Sequence, residues 1–379
     1  MSSASLRVLA LEPYFGGSHR AFLDGWIARS RHEWTLLTLP DRKWKWRMRH
    51  AAITFAKDVA TRVGNGERWD VIFCSDMLDL AGFLGLAPVS VRALPAVAYF
   101  HENQLVYPVQ VEREWDYHFA FSNITTALAA EAAWFNSQFH SDVCLDAMPR
   151  FLQRMPDYRP LHVVEEIRAK AEVRPPGFQA VPRRPKQHDA PPRILWCARW
   201  EHDKDPDTFF DALYRIADAG RAFRLSVIGG GGSRDELPVF EEARTRLADR
   251  IDHWGYQAGR EEYESVLAAA NIVVSTALHE FFGLAVAEAV SAGAYPLVPQ
   301  RLAYPEVLAG TDAAGKDSFF YEGEAQALAA RLIELIDRHG RGELWQGDPD
   351  RALRAVSRFT WERLVPEYDD ALAAIVQPG

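Results

Sequence analysis

Short apolar segments alternate with helix-length stretches along most of the chain, and this alternation limits the possible folds more than any other feature of the sequence. The apolar segments are continuous, which is typical of parallel strands that helices cover on both faces. Strands separated by helices form βαβ units and therefore doubly wound parallel sheets. The predicted strands are residues 6–11, 34–39, 69–74, 96–100, 133–136, 193–197, 223–229, 251–255, 272–276 and 295–299.

The alternation weakens from about Pro156 and stops in a charged, proline-rich stretch that is typical of a linker between domains. A chain of 379 residues is long enough for two domains. Ligands bind beyond the carboxyl ends of the strands in open α/β sheets, so we expect two domains that face a central cleft with their strand-end loops. The predicted divisions are a Rossmann-like domain over 1–178, a linker over 179–192, a second Rossmann-like domain over 193–355 and a C-terminal helical segment over 356–379.

The composition excludes several classes of protein. Lys and Arg total 43 and Asp and Glu total 52, and the net charge of −9 argues against a protein that coats its whole surface with nucleic acid or anionic lipid. The three cysteines form no CxxC or Cys/His cluster, which disfavours a disulfide scaffold and a structural zinc site. No apolar stretch reaches the ~20 residues of a membrane span, and the N-terminus is unlike a signal peptide. We expect a soluble, cytoplasmic protein with room for a local basic patch.

The strongest functional signal is the segment HEFFGLAVAEA at residues 279–289. A predicted strand runs into a loop that carries Glu280, Gly283 opens a helix, and Glu288 lies in the second turn of that helix. An open helix N-terminus suits an anion such as a diphosphate, and the two carboxylates could bind hydroxyl groups on either side of it. The alternative is an amphipathic helix with two solvated glutamates, but the preceding strand and the glycine favour a ligand site.

A second signal follows the predicted strand 193–197, where Arg199 and Lys204 place two cations in one strand-end loop. Two such cations can neutralise a diphosphate, and Arg can do so with two hydrogen bonds. An exposed, solvated loop is the alternative interpretation. Asp203 and Asp205 flank Lys204 like the paired acids that hold a metal–nucleotide complex, but the cations can neutralise the charge alone. We therefore predict no essential metal.

Glycine-rich turns follow strands in both halves. Gly229 and Gly230 begin a run of four glycines that allows close approach of a ligand, although a flexible surface turn fits as well. The run is not GxGxxG and has no ribose-binding acid at the required distance, which disfavours a nicotinamide dehydrogenase. Gly16 and Gly17 lie in the first strand–helix turn, where an anion or a sugar hydroxyl could bind, and a simple tight turn is the alternative.

Two further groups lie in the first half. His101 begins the polar run His-Glu-Asn-Gln directly after a predicted strand and could act near neutral pH, or it could be structural.

The second group consists of cations interleaved with aromatic residues. This combination suits single-stranded or loop RNA, and it also suits a membrane interface or a helix whose tryptophans are buried. These residues are Arg42, Lys43, Trp44, Lys45, Trp46, Arg47 and Arg49, and we call residues 42–50 the basic aromatic patch.

With these residues in view, the chain resembles the GT-B glycosyltransferases of the large retaining family 4 over nearly its whole length. The similar motifs are the Arg199 and Lys204 pair, the E-x7-E spacing of Glu280 and Glu288, the helix GLAVAEAVSAG and a C-terminal helix with Trp361. This resemblance implies a nucleotide-sugar site in the second domain, an acceptor mainly on the first, and a last helix that crosses back to the first domain.

The first half narrows the resemblance. The segments LEPYFGGSH, LPDRKWKWRMRH, YFHENQLVYPVQ and WFNSQFHSD resemble the tRNA-queuosine α-mannosyltransferases, which transfer mannose from GDP-mannose to queuosine at the wobble position of an aspartate tRNA. The resemblance implies that Arg199 and Lys204 hold the donor diphosphate, Glu288 the ribose and Glu280 the sugar hydroxyls. His101 would lie beside the transferred sugar and the basic aromatic patch would face the tRNA. The other residues expected around the donor are Gly16, Gly17, Gly229, Gly230, Tyr256, Phe282, Gly283 and Leu284.

Three other functions stay open at this point. A family 4 transferase could use another nucleotide-sugar and a lipid or small-molecule acceptor at a membrane surface. A GT-B epimerase would convert the donor with no acceptor, and a non-catalytic tRNA-binding protein would not bind the donor. The predicted reaction uses GDP-mannose as a co-substrate, with no separate cofactor.

Overall fold

The computed structural model describes residues 5–108, 116–186, 190–230, 237–309 and 319–376. The chain divides into two compact units. The first unit is Met1–Phe178 with Trp361–Gly379, and the second unit is Gln179–Thr360.

The first unit is built on a six-stranded sheet in which every described pairing is parallel, with the order β2-β1-β3-β4-β5-β6. Its strands are β1 (Arg7–Phe15), β2 (Glu33–Pro40), β3 (Val71–Ser75), β4 (Ala96–Phe100), β5 (Ala132–Phe135) and β6 (Ala171–Val173). Its first seven helices are α1 (Gly17–Ile27), α2 (Trp44–Gly64), α3 (Leu80–Leu86), α4 (Val89–Arg92), α5 (Tyr117–Ala129), α6 (Gln138–Gln153) and α7 (Val163–Arg168). The central strands β3 and β4 are buried along their whole length, as the continuous apolar runs predict.

Two features of this sheet differ from the prediction. The first strand was predicted over residues 6–11, but β1 continues to Phe15, and its register with β2 shifts between Glu12 and Phe15. This shift accommodates Pro13, which has no N–H group for a regular ladder. The short edge strand β6 was not predicted, since three half-buried residues carry too little apolar pattern.

The second unit has a six-stranded parallel sheet with the order β12-β11-β10-β7-β8-β9. Its strands are β7 (Arg193–Cys197), β8 (Arg224–Ile228), β9 (Ile251–Gly255), β10 (Ile272–Val274), β11 (Tyr295–Pro299) and β12 (Phe320–Tyr321). Its helices are α8 (Pro206–Asp218), α9 (Pro238–Arg246), α10 (Arg260–Ala269), α11 (Leu284–Ser291), α12 (Tyr304–Val307), α13 (Ala325–Gly340) and α14 (Arg351–Ser357). The two-residue edge strand β12 was not predicted.

The last helix, α15 (Trp361–Val376), packs into the first unit. A Cβ atom on Gly25 or Gly177 would lie 2.1 Å or 2.3 Å from atoms of the Trp361 indole, so both positions need glycine for close packing. Further along the helix, the buried Asp369 carboxylate accepts a 2.8 Å hydrogen bond from Trp26 Nε1. The chain therefore completes the first unit with residues from both of its ends.

Two exclusions drawn from the sequence can be compared with the structure. Among the helices of the described ranges, none combines the length and the apolar character that crossing a bilayer requires. The thiols of Cys74, Cys144 and Cys197 are all free.

Candidate active site

Lys204 is the central cation of the second unit. It lies in a short turn after β7, and its Nζ donates to the His279 carbonyl at 2.7 Å. Glu280 Oε2 and Asp203 Oδ2 lie 3.3 Å and 3.2 Å from the same nitrogen. Burial disfavours the ammonium form, but these two carboxylates outweigh burial and raise the pKa of Lys204. Lys204 is therefore a permanent positive charge at the end of the sheet.

Glu280 is fixed by the backbone that follows it. Its Oε1 accepts hydrogen bonds from the N–H groups of Phe282 at 3.4 Å and Gly283 at 3.1 Å. Burial disfavours the carboxylate, but Lys204 and the Phe282 N–H lower the pKa of Glu280 overall. The Gly283 amide, expected to face a bound anion, thus donates to the Glu280 carboxylate in this structure.

Gly283 is required at the start of α11 for two reasons. Its φ of +91° lies in the left-handed region, and a Cβ atom there would lie 2.7 Å from Cε1 of Tyr304. The Tyr304 hydroxyl in turn lies 2.6 Å from Ser275 Oγ. Lys204, Glu280, Gly283, Ser275 and Tyr304 all line one small pocket, so the structure brings three predicted residues together and adds two that the sequence did not indicate.

Arg199 lies in the same strand-end loop and is more exposed than Lys204. Its Nη1 is 3.4 Å from Glu201 Oε2, and about half of its side chain is exposed. Its charge acts on the neighbouring site: burial first, then Lys204 and also Arg199, lower the pKa of His279 to about 4. Arg199 and Lys204 therefore contribute positive potential to one region, with Arg199 on the solvent side.

Glu288 is held by partners from α10. Arg260 Nη1 lies 2.9 Å from Glu288 Oε1, and the Tyr263 hydroxyl donates to Oε2 at 2.7 Å. The same hydroxyl lies 3.7 Å from Cys197 Sγ at the end of β7. Glu288 thus lies near the end of β7, and Arg260 and Tyr263 already occupy both of its oxygens.

The remaining residues that were expected around the nucleotide-sugar have different contacts in the structure. A Cβ on Gly229 would lie 2.7 Å from the Ala198 carbonyl, and one on Gly230 would lie 3.3 Å from the Tyr256 nitrogen, so these glycines allow backbone segments to pack together. Tyr256 itself is well exposed. Phe282 packs edge-on against Phe359 and is buried, which leaves only its backbone for a ligand. Leu284 is the first residue of α11, and Gly231 and Gly232 lie outside the described residues.

In the first unit, a buried carboxylate and a histidine meet at the end of β1. Glu12 Oε1 accepts from Tyr14 N at 2.8 Å and from Ser75 Oγ at 3.0 Å, and Oε2 lies 3.2 Å from His19 Nδ1. Burial opposes protonation of His19, but the charge of Glu12 outweighs burial and raises the pKa of His19 to about 9. His19 is therefore an imidazolium held inside the unit.

The predicted catalytic residue His101 lies against this pair. Its ring is 4.0 Å from the His19 ring between centroids, and its backbone N–H donates to Asp76 Oδ1 at 2.9 Å. Burial, and then the charge of His19, lower the pKa of His101 well below its ordinary value. Burial also raises the pKa of Asp76 to about 8. Among the described residues, His101 Nε2 and Asp76 Oδ2 are buried without hydrogen-bond partners.

The neighbours of His101 in sequence have a structural role. Asn103 is fully buried, and its Oδ1 accepts from the N–H groups of Leu105 and Val106, both at 3.1 Å. The predicted turn glycines differ from each other: a Cβ on Gly16 would overlap the Asp41 carboxylate, whereas Gly17 has a φ of +51° and open space around its Cα. Gly17 thus leaves room for a ligand and Gly16 does not.

Glu12, His19 and His101 could also hold a metal ion, because each offers one ligand atom and these atoms lie within 4.8 Å of one another. A metal ion would have to replace the hydrogen bond between Glu12 and His19. His19 would also have to lose its proton, and with it its positive charge. The residues therefore fit a charged hydrogen-bond network better than a preformed metal site.

The basic aromatic patch spans the start of α2. Trp44 is partly buried, 5.2 Å from the ring of Phe119, whereas 61% of Trp46 is exposed. Arg47 Nε donates to the Pro40 carbonyl, and Arg49 Nη2 lies 2.9 Å from Asp116 Oδ2. The exposed cations of the patch are Arg42, Lys43, Lys45 and Arg49. The interpretation in which both tryptophans are buried is therefore wrong for Trp46.

Comparison with known proteins assigns the chain to a family. Residues 7–178 match the family described as tRNA-queuosine alpha-mannosyltransferase N-terminal, and residues 191–338 match Glycosyl transferases group 1. A curated Drosophila melanogaster protein named tRNA-queuosine alpha-mannosyltransferase is 36% identical over 383 residues, which cover 98% of this chain and 97% of that protein. This chain belongs to the tRNA-queuosine α-mannosyltransferase family. It is a mannosyltransferase, and the resemblance inferred from its sequence is confirmed.

Other proteins are similar in fold or over part of the sequence. The Anabaena protein HepE, solved with UDP and glucose, has a TM-score of 0.69 at 15% identity and covers 98% of this chain and 100% of its own. Sucrose-phosphate synthase from Thermosynechococcus elongatus has a TM-score of 0.69 at 16% identity, covering 96% and 98%. These likenesses confirm the predicted GT-B α/β fold class. A GDP-mannose-dependent alpha-(1-6)-phosphatidylinositol dimannoside mannosyltransferase of Mycobacterium tuberculosis is 32% identical over 51% of this chain and 47% of its own length.

Several site residues were missed by sequence reasoning. Glu12 directly follows the predicted strand 6–11, and Asp76 directly follows β3, so the rule that ligands bind at strand ends could have found them. Arg260, Tyr263 and Tyr304 gave no such signal, because they join the site from α10 and α12 through contacts that only the folded chain creates.

Proposed function

We propose that this mannosyltransferase transfers mannose from GDP-mannose to queuosine in the anticodon loop of aspartate tRNA, with retention of the anomeric configuration. The observation that carries the proposal is the full-length similarity to the Drosophila tRNA-queuosine alpha-mannosyltransferase. GDP-mannose as the donor is supported by the mycobacterial relative, whose name specifies that donor and which matches half of this chain.

The leaving group gains negative charge as the bond between the sugar and the diphosphate breaks. Lys204 is a permanent cation beside the start of α11, and Arg199 adds a second, more exposed cation in the same loop. Fixed charges of this kind stabilise a developing anion without reorganising during the reaction. Glu280 balances Lys204 in the absence of donor, and in the complex its carboxylate would accept hydrogen bonds from the sugar hydroxyls. Glu280 is not proposed as a nucleophile.

On the first unit, His101 would hydrogen-bond the transferred sugar or the acceptor hydroxyl. Its buried Nε2 has no partner among the described residues, and its low pKa keeps the ring neutral and able to accept a proton or a hydrogen bond. The imidazolium of His19 and the carboxyl group of Asp76 lie next to it, so we expect hydroxyl groups to be bound there through hydrogen bonds.

The acceptor tRNA would be bound through the basic aromatic patch. Lys43, Lys45 and Trp46 are exposed there, which is the combination that contacts phosphates and stacks on unpaired bases. The patch gives an acidic chain one local surface suited to RNA.

The function is tested in two steps. A thermal-shift series with GDP-mannose, UDP-glucose, GDP and UDP identifies the nucleotide that stabilises the protein. Queuosine-containing tRNA is then incubated with the protein and GDP-mannose, digested to nucleosides and analysed by mass spectrometry. Queuosine that gains one hexose supports the proposal. Unchanged queuosine together with stabilisation by GDP-mannose would reject the acceptor, and stabilisation by UDP-sugars alone would reject the donor.

One alternative acceptor is favoured by a specific observation. The mycobacterial relative is named for a phosphatidylinositol dimannoside acceptor, and the basic aromatic patch has the composition of a lipid-binding surface. This alternative predicts binding to anionic liposomes and a mannosylated lipid product. The same product analysis separates an epimerase, which would convert donor without acceptor, and a non-catalytic tRNA-binding protein, which would give no product.

A further inference from the structure

The backbone of His101 is bound by side chains from the two strands that flank β4. Asp76 directly follows β3 and accepts a 2.9 Å hydrogen bond from the His101 N–H. Asn136 directly follows β5, and its Nδ2 donates to the His101 carbonyl at 2.9 Å. Phe100 pairs with Phe135 in the parallel register of β4 and β5, so the residues that follow these two strands lie side by side. Both polar groups of the His101 backbone are therefore held from neighbouring strand ends.

A chain of buried hydrogen bonds sets the orientation of the Asn136 amide. Asn103 Oδ1 accepts from the N–H groups of Leu105 and Val106, so the Nδ2 of Asn103 is the group that lies 2.9 Å from His140 Nε2. An amide nitrogen only donates, so Nε2 of His140 is the acceptor and Nδ1 carries the hydrogen. That Nδ1–H donates to Asn136 Oδ1 at 2.7 Å. The amide nitrogen of Asn136 is thereby left to bind the carbonyl at the end of β4.

The position of the His101 ring depends on the backbone that carries it. The ring centre lies 5.1 Å from that of Phe22 and 4.7 Å from that of Tyr99, and these apolar contacts supply no hydrogen bond to fix the ring. His140 is fully buried and Asn136 is 6% exposed. Buried polar groups that satisfy one another rigidify the backbone around them. The hydrogen bond from Asn136 therefore limits how far His101 can move.

We propose that Asn136 is a positioning residue of the transfer reaction, which holds His101 through its backbone carbonyl at the place where the imidazole meets the transferred sugar or the acceptor hydroxyl. The proposal rests on the proposed function, because the role of His101 is taken from there. A displacement of about 1 Å at a reacting group can lower turnover ~10²-fold without removing any contact to a substrate. Asn136 is thus expected to affect kcat and not the binding of the donor, whose expected cations lie in the second unit.

The test compares Asn136→Ala with the loss of another buried asparagine. Asn136→Ala should lower kcat for mannosylation of queuosine-containing tRNA about tenfold or more, with the KM for GDP-mannose and the calorimetric affinity for GDP unchanged. Asn271→Ala is the matched control, because Asn271 is 5% exposed and its Oδ1 accepts from the Arg193 N–H at 2.9 Å. This pair lies at the amino ends of β7 and β10, away from Lys204, so Asn271→Ala should keep the wild-type kcat.

Hydrogen exchange tests the placement of His101 without any substrate. Peptides that contain residues 101–106 should exchange faster in Asn136→Ala than in the wild type, because the loop has lost one of the hydrogen bonds that hold it. The same peptides should exchange at the wild-type rate in Asn271→Ala.

A second variant guards against misfolding. Asn136→Leu fills the space of the amide but has no donor, so it should lower kcat as Asn136→Ala does, and thermal melts show which variants fold. A folded variant with the wild-type kcat, an equal loss of kcat in Asn271→Ala, or a loss of GDP affinity in Asn136→Ala would each overturn the inference. A wild type that mannosylates no queuosine would instead reject the proposed function. Unchanged exchange at residues 101–106 would reject the positioning of His101 by Asn136, whatever the acceptor is.

Discussion

The strand-end clusters of the two units control charge in different ways. In the second unit, Lys204 and Glu280 face each other at 3.3 Å, and each shifts the pKa of the other so that both stay charged. In the first unit, burial moves the pKa of Asp76 to about 8, while Glu12 moves that of His19 to about 9. The difference indicates a division of work: fixed charge in the second unit suits a diphosphate, and titratable hydrogen-bonding groups in the first suit hydroxyl groups.

The largest predicted effect is the drop in turnover when a fixed charge is removed from the second unit. Arg199→Ala should lower turnover with GDP-mannose by ~10²-fold or more, because one preorganised group that stabilises the leaving diphosphate is removed. Steady-state kinetics measure the effect. Arg215→Ala is the control, since Arg215 is an equally exposed arginine of α8 paired with Asp211. Equal turnover of the Arg199 variant and the wild type would refute the assigned role.

The second prediction tests the backbone that supports the fixed charges of the second unit. Gly283→Ala should lower the free energy of unfolding by about 3 kcal/mol, because the new side chain meets the left-handed φ and the ring of Tyr304. Chemical denaturation provides the measurement. Gly340→Ala, at the end of α13 with open space around it, should have an effect within about 0.5 kcal/mol. Similar losses in both variants would show that the close approach at Gly283 is not essential.

The comparison also predicts that the free energy of unfolding depends on pH through a group of the first unit. The folded-state pKa of His19 is raised to about 9, so its stabilising contribution is complete below pH ~6.5 and is lost as pH rises through about 9. The difference in unfolding free energy between wild type and His19→Gln should therefore shrink by about 2 kcal/mol from pH 7 to pH 9. Denaturation of both proteins across this range measures it. A difference that stays constant with pH would contradict a buried imidazolium.

Titration of Asp76 lowers the stability as pH rises, as titration of His19 does. The two contributions can be separated by substitution. Its folded-state pKa is raised, so the folded state binds more protons than the unfolded chain, and stability falls as pH rises from the ordinary carboxyl range to about 8. This loss should persist in His19→Gln and disappear in Asp76→Asn. The two substitutions thereby resolve the two groups of the first unit.

The smallest predicted effect on turnover comes from Glu12, which positions His19. Glu12→Gln keeps the size of the side chain but removes the charge that holds His19 protonated, so we expect roughly tenfold lower turnover and a changed pH profile. The affinity for GDP should be unchanged, because Glu12 is assigned no contact with the donor. Asp24→Asn, an exposed carboxylate of α1 paired with Arg20, should leave turnover and the pH profile unaltered. A pH profile identical to the wild type would exclude coupling of Glu12 to the reaction.

Much of the fold could be predicted from local pattern. Residues 96–100, 193–197 and 295–299 were predicted as strands with the bounds that the structure has, because each is a short, mainly apolar run. The predicted bounds of 251–255 also match, although Asp252 and His253 interrupt its apolar residues. The edge strands β6 and β12 were missed, because a strand of two or three residues forms only when a neighbouring strand supplies its hydrogen bonds.

The candidate site was predictable only in part, for a related reason. Lys204, Glu280 and Gly283 follow strands in sequence, and the structure does bring them together. The partners that set their state arrive from elsewhere: Tyr304 limits the space at Gly283, and Tyr263 and Arg260 occupy Glu288. The roles of the individual residues stay predictions until they are tested.

The most direct test of the division between the units is calorimetric titration of GDP into wild type, Arg199→Ala and His101→Ala. We expect that Arg199→Ala loses most of its affinity for GDP, because a diphosphate contact is removed, and that His101→Ala binds GDP like the wild type while losing activity. If His101→Ala lost GDP affinity and Arg199→Ala kept it, the fixed charges of the second unit would not form the diphosphate site.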